Sequence, residues 1–260
     1  MGSLTEDSPI WSSLSKRGHI NIADDKPLHL YYEIFGTGAK KVAFINGMGA
    51  DRQVWENVVA EFLDLDDYQN FLETLGWEKG VNIVGVSMGG MVALEFASNY
   101  PQMVNTLTLA VTNAGLSVPP LRGIVDSVRA NFISNPLERF EVICGTLYPE
   151  SYLKAPAPED TNCKTMMDLC IQRGIRRAKY TKPMSIWSFF GQVGTVLRHY
   201  NLGNLLPDKQ ILDHMVRTSN SSAVIVFRFE QIENAGHGVT SQCPDRFAKS
   251  IDTMVMEVAR

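Results

Sequence analysis

Ser87 lies between two glycines at the bend of the segment NIVGVSMGGMVAL, residues 82–94. The residues before it form an apolar run and those after it have helical character, so the bend joins a strand to a helix with almost no linker. Such a turn strains the backbone of its central residue, and Gly85 and Gly89 let the two elements approach without a Cβ collision. The bend exposes the hydroxyl at a helix N-terminus, where free N–H groups favour negative charge. Ser87 is therefore predicted to be a nucleophile.

A glycine-rich turn with a capping serine is the structural alternative for this motif. The pattern Gly-x-Ser-x-Gly is weak by itself, because the chain has 20 glycines among its 260 residues. Its position favours the functional interpretation, because it follows the most strand-like run of the sequence and begins a clear helix.

His237 is the histidine whose surroundings best suit a general base. It lies in AGHG, a flexible loop that follows the strand-like run AVIVFRFEQI at 223–232. From such a loop the imidazole can project over the carboxyl edge of a sheet. We interpret His19, His29 and His199 as surface or packing residues.

The elements around these residues predict an α/β fold, a mostly parallel sheet with helices on both faces. Residues 1–17 are polar and rich in serine, and we expect them to be loose. The core is predicted to comprise 18–115 and 201–260. Between these parts, at 116–200, prolines cluster and strand character disappears, which predicts a helical cap.

The C-terminal segment is predicted to be an amphipathic helix with one apolar face. Its apolar residues are Phe247, Ile251, Met254, Val255 and Val258.

Three motifs together resemble the α/β-hydrolase superfamily, which includes serine esterases, lipases and haloperoxidase-like proteins. FINGMGADRQVW resembles the turn after strand three, with Asn46 where the family usually has histidine. LGWEKGVNIVGVSMGGMVALEFASNYP is similar to the family throughout, and ENAGHGVTSQCPDRF resembles its histidine loop. The resemblance implies that Ser87 is the nucleophile, that His237 is the base, and that the backbone N–H groups of Met48 and Met88 form an oxyanion hole.

The same resemblance implies a catalytic acid between the cap and the histidine, in the order Ser, Asp, His. Asp208 and Asp213 both occupy that part of the chain. The segment DHMVRTSNS is similar to the family's acid loop, which favours Asp213. The strong strand expected before the acid is degraded in this sequence, so Asp208 stays open as the alternative.

In the family, strand four lies between strands two and three of the sheet, and this sequence has no segment that predicts it. The family has a fourth strand where this chain offers only DLDD, at 64–67, between helical patterns at 54–63 and 66–77. Removing a central strand leaves two rows of backbone groups unpaired, at a cost several-fold larger than one hydrogen bond of about 1 kcal/mol. We interpret the chain as a shortened hydrolase, and the missing core segments are a reason to expect impaired activity.

The function implied is a serine hydrolase that cleaves an ester, thioester or lactone of a small, largely apolar acyl substrate. A serine at the elbow disfavours epoxide hydrolase and dehalogenase chemistry, which use a carboxylate nucleophile. Two alternatives remain open: a ligand-binding protein that keeps the pocket without turnover, and an acyltransferase on the same scaffold.

Composition is that of an ordinary globular enzyme and excludes several classes of partner. The net charge of −4 and pI of about 5.8 argue against nucleic-acid binding, and the apolar runs are too short to span a membrane. Without a signal-peptide pattern, we expect a cytoplasmic protein. The four cysteines lack metal-ligand spacing, so we expect free thiols and neither metal nor cofactor. The sequence indicates no oligomeric state.

The predicted cap contains two further patterns with open interpretations. The basic stretch RGIRRAKYTK, residues 173–182, suits either an anionic substrate tail or a solvated helix end. Trp187, Phe189 and Phe190 suit either an acyl pocket or the packing of the cap onto the core.

Overall fold

The fold was analysed in a computed structural model, which describes residues 12–21, 29–50, 52–55, 68–69, 79–100, 103–113, 121–179, 185–203 and 230–258. The strands are β1 Leu14–Asn21, β2 His29–Phe35, β3 Lys40–Ile45, β4 Tyr68–Gln69, β5 Val81–Val86 and β6 Val104–Ala110. The helices are α1 Met88–Asn99, α2 Leu121–Ala130, α3 Pro136–Leu147, α4 Glu150–Leu153, α5 Met166–Ala178, α6 Ile186–Gly203, α7 Val239–Gln242 and α8 Pro244–Val258, with a 3₁₀ turn at Arg52–Trp55.

Four strands form a parallel sheet in the order β4-β3-β5-β6. In this sheet Ala43 is aligned with Ile83, and Ile83 with Leu107. Strands β1 and β2 form a separate antiparallel pair. Because all strands of the larger sheet run in the same direction, the loops that follow β3, β5 and β6 emerge at one edge.

Strand β5 is buried on both faces, as its unbroken apolar run predicts. Val84 and Val86 pack on one side into a cluster that includes residues of α8. Ile83 packs on the other side against Ala93 of α1. Helices therefore cover both faces of the sheet, and the predicted α/β class is confirmed.

A buried asparagine joins three strands of this sheet. Asn82 of β5 donates from Nδ2 to the carbonyl oxygen of Lys41 on β3 at 2.9 Å. Its Oδ1 accepts from Thr106 Oγ1 at 2.8 Å and from Asn105 Nδ2 at 2.9 Å, both on β6. Because these buried polar groups satisfy one another, the asparagine fixes the strand register at no desolvation penalty from an unpaired group.

The region of the expected fourth strand contains a very short one. Tyr68–Gln69 pairs in parallel with Lys40 and Lys41, on the side of β3 opposite β5. The family has strand four beside strand three, so this chain has a two-residue strand where the family has a full one, and the predicted loss of that strand is not contradicted. The helix predicted from residue 66 onward is wrong at Tyr68–Gln69, because pairing with β3 places these residues in a strand. Residues 56–67 and 70–78 lie outside the described residues.

The predicted cap region consists of helices in its described residues, apart from an isolated bridge between Pro156 and Thr165. Thr165 begins α5 with a capping box, because its hydroxyl accepts from the N–H of Asp168 while the Asp168 carboxylate accepts from the N–H of Thr165. Helices α3 and α5 pack closely, since a Cβ at Gly174 would lie 2.5 Å from the ring of Phe140.

The C-terminal helix buries the apolar face that its sequence predicts. Phe247, Ile251 and Val255 are fully buried, and Met254 is half-buried. The side chain of Val258 lies outside the described residues. At the other end of the chain, β1 begins at Leu14, inside the segment 1–17 that composition predicts to be loose.

In the described part of the chain, every helix is too short or too polar to cross a lipid bilayer.

Candidate active site

The backbone of Ser87 has the strained geometry expected for a residue at a sharp strand-to-helix bend. Its φ is 56° and its ψ is −124°, a conformation that L-residues rarely adopt. It is the single residue between the end of β5 and the start of α1. A Cβ at Gly85 would lie 2.5 Å from the carbonyl oxygen of Gly89, and a Cβ at Gly89 would lie 2.5 Å from that of Asn46. Both glycines are therefore required by the backbone around the bend.

Hydrogen bonds from β6, from the loop after it and from α1 hold this bend in place. The N–H of Ser87 donates to the carbonyl oxygen of Ala110 at 3.0 Å. The hydroxyl of Thr112 donates to the carbonyl oxygen of Ser87 at 2.7 Å. The N–H of Gly90 donates to the same oxygen at 2.9 Å. Three hydrogen bonds thus fix a strained residue in a region where a shift of 1 Å would change the site.

The turn after β3 lies against the serine. A Cβ at Gly47 would lie 3.2 Å from Cβ of Ser87 and 3.7 Å from its Oγ. The turn closes by a hydrogen bond of 3.2 Å from the N–H of Ala50 to the carbonyl oxygen of Gly47. Met48 lies inside this turn. Met88 is the first residue of α1, and the first N–H groups of a helix have no partner within the helix. The two predicted oxyanion residues therefore flank Ser87.

Side chains from two other elements hold the turn after β3. The Asn46 side chain accepts a hydrogen bond from the indole Nε1 of Trp55. The N–H of Gly49 donates to Oε1 of Gln192, on helix α6 of the predicted cap, at 2.9 Å. Asn46, which stands where the family usually has histidine, thus ties the turn to the buried Trp55.

The loop that carries His237 is closed by Gln242 of α7. The N–H of Gly236 donates to Oε1 of Gln242 at 2.8 Å, and Nε2 of Gln242 donates to the carbonyl oxygen of Asn234 at 2.6 Å. Asn234 has a φ of 58°, so the loop reverses direction there. The Gln242 side chain thus hydrogen-bonds two backbone groups of the loop just before the histidine.

The histidine loop packs against the end of α3. The N–H of Gly238 donates to the carbonyl oxygen of Leu147 at 2.9 Å. A Cβ at Gly236 would lie 2.5 Å from that same oxygen, and a Cβ at Gly238 would lie 2.7 Å from Cζ of Tyr148. The end of α3, in the predicted cap, therefore holds the histidine loop together with Gln242.

The hydrophobic core brings the two loops to the same edge of the sheet. Val86, which precedes Ser87, and Val239, two residues after His237, pack in one buried cluster with Trp55. The His237 residue itself keeps an exposed surface, while the surrounding packing removes water from its ring and lowers the pKa of the imidazole. A lowered pKa keeps this histidine neutral, which is the form that accepts a proton.

The two candidates for the catalytic acid, Asp208 and Asp213, lie outside the described residues. His214 and residues 223–229 of the strand predicted at 223–232 also lie outside them, and the strand prediction is wrong at 230–232, which form no regular secondary structure. The acid therefore stays a prediction from the sequence.

No cluster of three or more His, Cys, Asp or Glu side chains among the described residues has the arrangement of a metal site. All four cysteines are free thiols. Cys144 and Cys170 lie side by side on α3 and α5, where their mutual hydrogen bond lowers the pKa of Cys170 and raises that of Cys144.

Sequence reasoning missed five residues that hold the site: Trp55, Thr112, Tyr148, Gln192 and Gln242. Thr112 lies two residues after the end of β6 and is a short polar residue near a sheet edge, a weak signal that the sequence does carry. Tyr148 and Gln192 belong to the predicted cap, and nothing in their spacing relates them to the loops that they contact.

Of the three cap aromatics, Phe189 is 4% exposed, while Trp187 is 81% exposed and Phe190 is 52% exposed. Phe189 thus packs α6 onto its neighbours. Trp187 and Phe190 present their rings outside the core.

Comparison with known proteins supports the resemblance seen in the sequence. A family model described as "alpha/beta hydrolase fold" matches residues 59–238. Among curated proteins, the homoserine O-acetyltransferase of Methanococcus vannielii is 39% identical over 49 residues, which is 19% of this chain and 10% of that protein. The chain therefore matches only a small part of the length of that relative.

Solved structures show the same fold at low sequence identity. A bacterial membrane phospholipase A, described as a virulence factor, superposes with a TM-score of 0.58 and 16% identity, covering 96% of this chain and 88% of that one. A thermophilic esterase from Thermogutta terrifontis superposes with a TM-score of 0.54 and 18% identity, covering 94% and 99% of the two chains.

Proposed function

The chain belongs to the α/β-hydrolase fold family, and we propose that it is a serine hydrolase that cleaves an ester, thioester or lactone of a small, largely apolar acyl substrate. The observation that carries the proposal is the backbone of Ser87, held at a φ of 56° at the N-terminus of α1. Strain of this kind persists only where the surrounding structure enforces it. Here backbone atoms of three strands and the hydroxyl of Thr112 enforce it.

In the proposed reaction, Ser87 Oγ attacks the substrate carbonyl while His237 accepts the hydroxyl proton. The lowered pKa of His237 supports this role, because the ring is neutral and ready to accept a proton near neutral pH. The carbonyl oxygen becomes an oxyanion, and the imidazolium then gives its proton to the leaving group. The product of this first half is an acyl-Ser87 ester.

The N–H groups of Met48 and Met88 are proposed to bind the oxyanion. Their positions on either side of Ser87 support this assignment. The helix dipole of α1 adds to the stabilisation, because its positive end lies at Met88.

Hydrolysis of the acyl-enzyme uses the same groups in reverse. His237 takes a proton from water, the hydroxide attacks the acyl carbonyl, and Ser87 leaves with the proton that His237 returns. Asp213 is proposed to orient the imidazole and to stabilise its protonated form, with Asp208 as the alternative acid.

Labelling with a fluorophosphonate tests this proposal directly. The probe reacts with an activated serine, so we expect a covalent adduct on Ser87 of the folded protein and none after heat unfolding. Ser87→Ala should abolish both the adduct and the turnover of p-nitrophenyl acetate. Ser127→Ala, a serine on α2, is the matched control and should behave as the wild type.

Failure of this experiment has a defined meaning. An adduct on another serine, or none on folded protein, would contradict the nucleophile assignment. A folded chain without adduct or turnover would favour the ligand-binding alternative.

Acyl transfer to an alcohol is a second candidate, favoured by the short match to a homoserine O-acetyltransferase. An acyltransferase would use the same serine and histidine and would differ in the acceptor of the acyl group. Turnover of p-nitrophenyl acetate in excess L-homoserine separates the two functions. Acetate as the product supports the hydrolase, whereas O-acetylhomoserine would establish the transferase.

A further inference from the structure

The turn after β3 is bonded by a residue that is distant in sequence. The N–H of Gly49 donates to Oε1 of Gln192 at 2.9 Å, across 143 residues of chain. Gly49 has a φ of 69°, so its N–H direction is set by a left-handed turn that glycine tolerates. The preceding residue is Met48, whose N–H is assigned to the proposed oxyanion hole. The bond from Gln192 therefore acts on the peptide next to a reacting group.

This turn has few means of its own to keep its shape. Its residues Gly47, Met48, Gly49 and Ala50 include two glycines and an alanine, and it is closed by the long bond from Ala50 to Gly47 at 3.2 Å. The Asn46–Trp55 hydrogen bond holds the start of the turn. Gln192 holds its far end. An oxyanion donor works only when it is held within about 0.5 Å of its productive position.

Helix α6 is anchored well enough to serve as the support. Phe189 lies three residues before Gln192, so the two side chains share a face of the helix. Phe189 is buried, and α6 contacts α1, the helix that begins with Met88. The glutamine is thus presented to the turn by a helix that also contacts α1, the helix whose first residue is assigned to the other half of the proposed oxyanion hole.

We propose that Gln192 is a positioning residue that couples the placement of cap helix α6 to the shape of the oxyanion hole. This inference rests on the proposed function for its catalytic consequence. The glutamine touches the turn and acts through Gly49. Displacement of α6 by a bulky acyl chain would break the hydrogen bond to Gly49 and weaken oxyanion binding. Substrates with bulky acyl chains would therefore be hydrolysed with a lower kcat.

Two substitutions separate positioning from packing. Gln192→Leu keeps much of the side-chain volume and removes the acceptor, whereas Gln192→Glu keeps an acceptor that is stronger than the amide. We expect Gln192→Leu to lower kcat for p-nitrophenyl acetate about tenfold with little change in KM, a fraction of the ~10²–10³ lost with a whole oxyanion donor. Gln192→Glu should restore kcat. Gln172→Leu, on the exposed side of α5, is the matched control and should leave both constants unchanged.

Hydrogen exchange at the Gly49 amide tests the link without any catalysis. We expect this amide to exchange faster in Gln192→Leu than in the wild type, and at the wild-type rate in Gln192→Glu. Absence of turnover in the wild type would contradict the proposed function, while the exchange result still decides the link. Equal exchange and equal kcat in all three proteins would overturn the inference. Gln192→Ala gives the same comparison if the leucine variant does not fold.

Discussion

The serine and histidine loops of the candidate site are held by different parts of the molecule. The Ser87 bend is fixed by the sheet, through the carbonyl oxygen of Ala110 and the hydroxyl of Thr112 at the end of β6. The His237 loop is fixed by the cap region, through the carbonyl oxygen of Leu147 and the ring of Tyr148. The proposed nucleophile thus directly follows the most buried strand of the fold, whereas the proposed base depends on how the end of α3 packs.

The contacts of the glycines show that the Ser87 bend (the serine side) and the His237 loop (the histidine side) also differ in rigidity. Around Gly85 and Gly89 the nearest atoms are backbone atoms of neighbouring elements. Beside Gly238 the nearest atoms belong to the ring of Tyr148, a side chain that can move. At Gly85 and Gly89 the serine side therefore has no room for a Cβ, and Gly236 of the histidine loop is equally restricted by the carbonyl oxygen of Leu147. Gly238 is the position where the histidine side can adjust, because the Tyr148 ring can move and a shift there would change activity before it changes stability.

The first prediction compares one glycine from each side and has the largest expected effect. Gly89→Ala should cost more than about 3 kcal/mol and prevent stable folding, because the new Cβ would lie within 2.5 Å of the carbonyl oxygen of Asn46. Gly238→Ala should leave the protein folded, with a modest loss of thermal stability, and should lower turnover because Tyr148 and His237 must shift. Circular dichroism melting and p-nitrophenyl acetate kinetics measure both effects.

The control for this pair is Gly145→Ala on α3, where an added Cβ meets nothing within 4 Å. This change should raise the melting temperature slightly, because alanine favours a helix over glycine by about 0.5–1 kcal/mol. If Gly89→Ala were as stable as Gly238→Ala, the serine side would be no more rigid than the histidine side.

The second prediction concerns the carboxylate that should complete the histidine side. Asp213→Asn keeps the shape of the side chain and favours the wrong imidazole tautomer. The same change in a serine protease triad lowers kcat by a factor of about 10⁴. We expect a loss of that order in p-nitrophenyl acetate turnover, with the Ser87 bend intact and little change in thermal stability.

Asp208→Asn is the matched control, since it makes the same chemical change five residues earlier. It should leave kcat within a few-fold of the wild type. The reverse result would identify Asp208 as the acid. If neither change matters while Ser87→Ala abolishes turnover, the site works as a Ser-His dyad.

The fold and the serine side were predictable because their signals are local. An unbroken apolar run, two glycines at fixed distance from a serine, and a helical pattern all lie within 81–99, and the structure forms β5 and α1 there. The apolar face of α8 was equally readable from its periodicity, and the burial of Phe247, Ile251 and Val255 confirms it.

The remaining features depend on contacts between distant parts of the chain. Tyr68–Gln69 has a helical pattern in its neighbourhood and forms a strand because β3 offers a free edge. Tyr148 and Gln192 lie in helices whose sequence pattern encodes their own packing, and their bonds to the histidine loop and to Gly49 follow only from how the cap region packs on the core. At Tyr68–Gln69, tertiary packing overrides the local helical propensity. At Tyr148 and Gln192, local propensity gives no information about the tertiary contacts.

The third prediction is the smallest in energy and tests whether Asp213 lies beside the base. Burial alone lowers the pKa of His237, and a neighbouring carboxylate would raise it by favouring the imidazolium. In Asp213→Asn only burial acts, so NMR titration of His237 should give a pKa below its usual value of about 6.5, and the wild-type pKa should be higher than that of the variant. In Asp208→Asn, His237 should titrate as in the wild type.

The same titration predicts how the stability of Asp213→Asn depends on pH. Because the pKa of His237 is lower in the folded state, the unfolded chain takes up this proton at a higher pH than the folded chain does. The Asp213→Asn protein should therefore be fully stable above pH ~6.5 and lose stability as the pH falls below it. Identical titration of His237 in the wild type and in Asp213→Asn would show that Asp213 does not lie beside His237. The predicted cap region would then be the main support of the His237 loop.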